Sequence, residues 1–124
     1  MTRQQQNLYE LYPTRAVRWQ TAGDGRVTLL VPKFTNRLLR KVLVPLLRQR
    51  DFRFHLDDLG TFVWQRCDGA RTVAEIAAAA RERFPDADQL LERIGEFVSR
   101  LDRQELVKVF SAPGGEPVGE SAAG

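Results

Sequence analysis

The spacing of apolar and polar positions changes several times along the chain. Residues 1–15 carry scattered Leu and Tyr with no repeat and are interrupted by Pro13, so a flexible N-terminal arm is expected there. Val17-Arg18-Trp19-Gln20 and Arg26-Val27-Thr28-Leu29-Leu30-Val31 are runs rich in β-branched and aromatic residues on either side of Gly23-Asp24-Gly25. Glycine reaches the positive φ that a tight turn demands, so this stretch predicts a β-hairpin closed by Pro32. From Thr35 to Arg50 the period becomes helical. Leu38, Leu39, Val42, Leu43 and Leu46 gather on one side of a helical wheel, with Arg37, Arg40, Lys41 and Arg48 opposite. This is a basic amphipathic helix, bent or divided near Val44 because Pro45 removes a hydrogen bond and clashes with the preceding turn. Phe52-Arg53-Phe54-His55-Leu56 returns to period two, the mark of a half-buried third strand.

Three helices follow. Asp57 and Asp58 are placed to cap the first, whose Leu59, Phe62, Val63 and Cys67 form one stripe before Asp68-Gly69 breaks it. Thr72 with Glu75 is a capping box that opens the second, with Val73, Ile76, Ala77, Ala80 and Phe84 inward and Pro85 as its stop. Asp86 with Gln89 repeats that start signal for a third helix reaching about Gln104, with Leu90, Ile94, Phe97, Val98 and Leu101 inward. Leu106 to Phe110 adds a short strand, and the Gly, Pro, Ala and Ser of residues 111–124 read as a disordered tail. The order predicts an α+β, winged-helix-like domain over residues 16–110. Its small antiparallel three-stranded sheet packs on a three-helix bundle, with the basic helix at 33–50 inserted before the third strand.

A chain of 124 residues is one domain's worth, and 43% hydrophobic content with 7 Phe and 2 Trp is enough for a core. No apolar run approaches the roughly 20 residues of a membrane span, and the first ten residues lack the apolar stretch of a secretion signal, so a cytoplasmic location is expected. One Cys and one His exclude an internal disulfide and leave too few ligands for a thiolate or histidine metal centre, so no metal or cofactor is expected.

Charge changes the picture more. Residues 1–53 hold 11 Lys/Arg against 3 Asp/Glu and residues 54–124 hold 8 against 13, so a net charge of +3 conceals halves of +8 and −5. The stretch 26–50 has seven basic residues and no acid, which points any electrostatic partner towards an anion: an acidic peptide, lipid headgroups or nucleic acid. The plainer alternative is a helix that packs its leucines and solvates its basic face.

Catalytic constellations are missing. His55 reads as an exposed strand histidine, Cys67 sits on an apolar stripe, and the carboxylates concentrate at helix starts and turns, where they satisfy backbone donors. The chain contains no GxxxxGK[ST], GxGxxG, HExxH or CxxC. A winged-helix DNA-binding regulator is the competing class, but both helices that would enter a groove carry acids beside their arginines.

The segment LDDLGTFVWQRCDGARTVAEIAAAARERF, with FVSRLDRQELV further on, resembles the PqqD family, named for a small protein of pyrroloquinoline quinone biosynthesis. The resemblance rests on Leu56 and Asp57 ahead of the Gly60 and Trp64 helix, on DG-x-R-T-V-x-E-I at Asp68 to Ile76, on Phe84, and on a third helix ending at Leu106-Val107. It implies a RiPP recognition element, a non-catalytic chaperone. Such a module binds the leader of a ribosomally made precursor peptide and presents it to a modifying enzyme, often a radical S-adenosylmethionine protein. By the same resemblance the leader adds as a strand beside the third strand, so the docking edge is Arg53, Phe54, His55, Leu56 and Asp57. The groove wall is then the exposed side of the third helix, including Phe97, where Arg93 and Arg100 orient leader carboxylates with Glu96 as counterweight. The basic helix has no place in the plainest family members, and Arg37, Arg40, Lys41 and Arg48 are expected to bind an acidic patch on a partner enzyme or peptide.

Overall fold

The computed structural model describes residues 7–32 and 51–121. The expected basic helix, with Arg37, Arg40, Lys41 and Arg48, lies outside them. After a 3-10 turn at Leu8–Glu10 come strands β1 (Tyr12–Arg15), β2 (Arg18–Thr21), β3 (Val27–Pro32) and β4 (Asp51–His55). Helices α1 (Asp58–Gln65), α2 (Val73–Arg83) and α3 (Leu90–Arg103) follow, then β5 (Val107–Phe110). The class is α+β: β2, β3 and β4 form an antiparallel sheet in that order, and β1 pairs with β5 in a second one.

The local signals behave as the residues dictate. Gly25 turns the hairpin at φ +88°, with the Asp24 carboxylate accepting the Arg26 N–H at 2.9 Å. Asp57 caps α1 by accepting the Gly60 N–H at 2.7 Å. The Thr72–Glu75 box is complete, at 3.1 Å and 2.8 Å for its two bonds. The core lies between one face of the three-stranded sheet, with Trp19, Val27, Leu29 and Val31, and the helices, with Val63, Trp64, Ile76, Ile94 and Val98. Trp64 is wholly buried and meets Trp19 edge-on at 6.5 Å.

Three expectations are corrected. α3 starts at Leu90, and Gln89 before it is left-handed, at φ +51°, with no side-chain cap. The Asp86–Gln89 signal is overridden because the Arg81 guanidinium takes the carbonyls of Pro85 at 3.2 Å and Ala87 at 2.8 Å, which fixes that stretch as turns. The arm expected over residues 1–15 is, from residue 7 on, part of the fold. The Pro13 carbonyl accepts from the Gly69 N–H, the Leu11 carbonyl from the Val73 N–H, and the Arg15 N–H donates to the Cys67 carbonyl, all at 2.9–3.0 Å. Leu11 and Pro13 are buried, and the Tyr9 ring fills the space over Gly95 of α3, with Tyr9 Cζ 2.9 Å from where a Cβ would stand. The tail expected at 111–124 lies bonded along the body through Ser121. A segment too poor in apolar residues to fold alone still carries main-chain donors and acceptors for a strand that lacks a neighbour.

Cys67 is a core residue, its Sγ 3.3 Å from the Val63 carbonyl, and burial pushes its thiol up to about 12 from an ordinary 9.0. The folded chain therefore keeps a proton that the unfolded chain loses, so this group's contribution is complete below about pH 9 and declines as pH rises towards 12. Melting curves across that range will show the wild type losing more stability than Cys67→Ala. Parallel curves would count against the burial argument.

Candidate functional site

β4 is a margin of the three-stranded sheet. Its register with β3 pairs His55 with Thr28, Phe54 with Leu29 and Arg53 with Leu30, and the Leu56 N–H donates to the Val27 carbonyl at 2.8 Å. Inward bonding thus falls on Leu56 and, by alternation, on Phe54, which leaves the main-chain N–H and C=O groups of Arg53 and His55 facing away from the sheet. Among the described residues no strand pairs with that side. Phe54 lies on the same sheet face as Leu29, yet is 48% exposed because no strand lies beyond it among those residues.

Beside the end of β4 a cavity of about 340 Å³ opens between the β4–α1 junction and α3. Leu56, Leu59, Val63 and Ile94 give it apolar walls, with Gly60 on its floor and His55, Asp57, Arg93 and Phe97 completing it. Gly60 keeps that floor low: a Cβ there would stand 3.1 Å from the capping Asp57 Oδ1, 3.3 Å from Leu56 Cβ and 3.5 Å from Phe97 Cζ. A shallower hollow of about 420 Å³ continues along α3 between Glu92, Arg93, Glu96, Phe97 and Arg100, so Arg93 and Phe97 belong to both.

The arrangement brings most of the expected residues together. His55, Leu56, Asp57, Arg93 and Phe97 share the first cavity, and Glu96 and Arg100 join the last two in the second. Arg53 and Phe54 line neither and stand further along the strand margin. Asp57 is occupied as the α1 cap, and His55 Nδ1 lies 2.9 Å from Thr28 Oγ1. Glu96 and Arg100 form an exposed ion pair at 3.5 Å, worth about 0–1 kcal/mol. Arg93 has no carboxylate partner among the described residues, which leaves its charge available at the junction of the two hollows. The walls Leu59, Val63 and Ile94 carry no binding signal in the sequence, since a residue lining a groove and one filling the core share one helical stripe. Gly60 was the available signal: a glycine inside a helix costs stability unless something must come close.

Residues 46–107, half of the chain, match the family model described as Coenzyme PQQ synthesis protein D (PqqD). The chain belongs to the PqqD family. The matched span holds all of β4 and the three helices, and so every residue around both cavities of this PqqD-family chain. A curated relative, the "PqqA binding protein" of Rahnella aquatilis, is 35% identical over 52 residues, 42% of this chain and 55% of the relative. The match thus spans about half the length of that relative. No solved structure matches the chain. Among the described residues no helix is long and apolar enough to cross a membrane.

Proposed function

We propose that this chain is a non-catalytic, winged-helix-like peptide-binding chaperone that captures the leader of a ribosomally made precursor by strand addition and presents it to a modifying enzyme, of the radical S-adenosylmethionine kind. The observation that carries the reading is a strand margin, β4, that no strand among the described residues pairs, ending at an apolar cavity against α3. The family, and the peptide partner in the relative's name, point the same way.

The two parts complement each other energetically. The outward groups of Arg53 and His55 offer four main-chain hydrogen bonds at about 1 kcal/mol each, roughly half of the ~8 kcal/mol that micromolar affinity needs. Backbone pairing of this kind discriminates little between sequences. Burying about 200 Å² of leader side chain at ~25 cal/mol per Å² adds about 5 kcal/mol, against which association costs are set. One large apolar leader residue over Gly60 and an acidic residue facing Arg93 would therefore supply both affinity and choice. The basic run Arg37, Arg40, Lys41 and Arg48 is assigned to an acidic patch on the modifying enzyme.

Titrating the isotope-labelled chain with leaders of short peptides encoded beside its gene should move the amides of Arg53 to Asp57 and Arg93 to Arg100. Shifts confined to β1 and β5 would sink the reading. Gly60→Ala separates binding from folding. The added Cβ meets close contacts but gains helix propensity, so stability should stay within about 1 kcal/mol, while the shallower floor costs roughly tenfold in leader affinity.

A further inference from the structure

The opposite margin of the same sheet is already filled by the chain's own C-terminal segment. The ladder between β2 and β3 continues to the Ala22 N–H, which donates to the Arg26 carbonyl at 2.7 Å, so even-numbered residues of β2 bond inward and odd-numbered ones face out. The C-terminal segment passes the end of β1 and then meets the outward groups of Trp19 and Thr21. The Val118 N–H donates to the Arg15 carbonyl at 3.0 Å, just ahead of β2, and the Ser121 N–H donates to the Trp19 carbonyl at 2.7 Å. The Glu120 carboxylate accepts the Thr21 N–H at 3.0 Å, and Glu120 bridges Trp19 in parallel.

Side chains grip the segment as well. Arg15 Nε at 3.2 Å and the Trp19 indole N–H at 3.1 Å converge on the Val118 carbonyl. Arg15 is braced for that role by Nη1, which donates to the carbonyls of Gln65 at 2.9 Å and Trp64 at 3.3 Å at the end of α1. Upstream, the segment crosses the Asp68-Gly69 turn so closely that a Cβ on Gly69 would lie 2.6 Å from the Gly115 carbonyl oxygen, and the Gly114 N–H donates to the Gly69 carbonyl at 3.0 Å. Every one of these bonds is to main chain or to a carboxylate, which is how a peptide is recognised rather than how a core is packed.

We infer that the β2 margin is a second strand-accepting site, built for an extended segment with a carboxylate two residues beyond the carbonyl held by Arg15 and Trp19, and occupied within the molecule by residues 116–121. An intramolecular ligand has an effective concentration of millimolar order, so the seated segment shuts this margin to dilute peptides. It does not touch β4, and the inference stands apart from the leader-binding reading.

The test uses the full chain and a synthetic peptide of residues 112–124. In the wild type the Thr21 amide should be protected from hydrogen exchange, and the Trp19 indole resonance should ignore the peptide up to about 1 mM. Val118→Pro deletes the N–H given to Arg15 without touching the core. It should speed exchange at Thr21 at least tenfold, shift the Trp19 indole, and take up the peptide in trans with both signals restored. Glu120→Gln is a milder check that keeps the backbone bonds and should raise Thr21 exchange severalfold. Unchanged Thr21 and Trp19 signals in Val118→Pro, or released signals with no uptake of the peptide, would overturn the inference.

Discussion

His55→Pro should lower leader affinity ten- to a hundredfold while leaving the fold in place. The His55 N–H faces away from β3, so its loss removes no bond of the ladder, which passes through Phe54 and Leu56. Proline also favours an extended conformation in the residue before it, and Phe54 is extended already. What disappears is a donor on the open margin, and the ring obstructs the incoming carbonyl that would have used it. A lost bond and an unsatisfied partner together cost about 1–3 kcal/mol. The substitution also deletes the contact of His55 Nδ1 with Thr28 Oγ1, so His55→Ala, which keeps the N–H, is the control and should bind within about threefold of wild type. Fluorescence anisotropy with a labelled leader reads both. Equal affinity for His55→Pro and wild type would rule out strand addition at β4.

Gly69→Ala should be the most damaging change of a single methyl group. Gly69 sits at φ +80°, which L side chains adopt at a cost of about 1 kcal/mol or more. Its Cβ would also lie 2.6 Å from the Gly115 carbonyl oxygen and 2.9 Å from Thr14 Oγ1. Relief requires moving backbone on one side or a buried β1 residue on the other, and with it the bonds from Gly69 to Pro13 and from Gly114 to Gly69. A loss of about 2–4 kcal/mol is expected, a fall of roughly 10 °C or more in Tm. Gly23→Ala, where nothing lies within 4 Å of the added Cβ, should change stability by about 0.5 kcal/mol or less. Thermal unfolding followed by circular dichroism compares the two, and equal melting temperatures would contradict the crowding at Gly69.

The interactions that could be read from the chain are those spanning a few residues. The Asp57 cap, the Thr72–Glu75 box, the Gly25 turn and the β4 strand each depend on neighbours within four positions, and each formed, although Phe54, expected on a half-buried face, is 48% exposed. Asp86–Gln89 has the same local form and did not become a helix start, because Arg81, on the preceding helix, competed for the carbonyls. The site divides the same way. Arg53 to His55 lie on β4 and Arg93 to Arg100 on α3, elements that local periodicity predicts, with Leu56 and Asp57 forming the turn into α1, whereas cavity walls cannot be told from core residues of the same stripe.

Sequence alone therefore settled the hairpin, the three helices and their apolar faces, since caps, turns and periodicity act over one or two turns of chain. It also carried the motif of the PqqD family. Only the tertiary structure decided which sheet margins are filled. β1 pairs with β5 across nearly the whole chain, and a Gly- and Pro-rich segment with no apolar pattern seats itself on β2. Main-chain hydrogen bonding leaves almost no trace in side-chain identity, so which strand receives a neighbour is determined by where the folded chain brings unsatisfied N–H and C=O groups together.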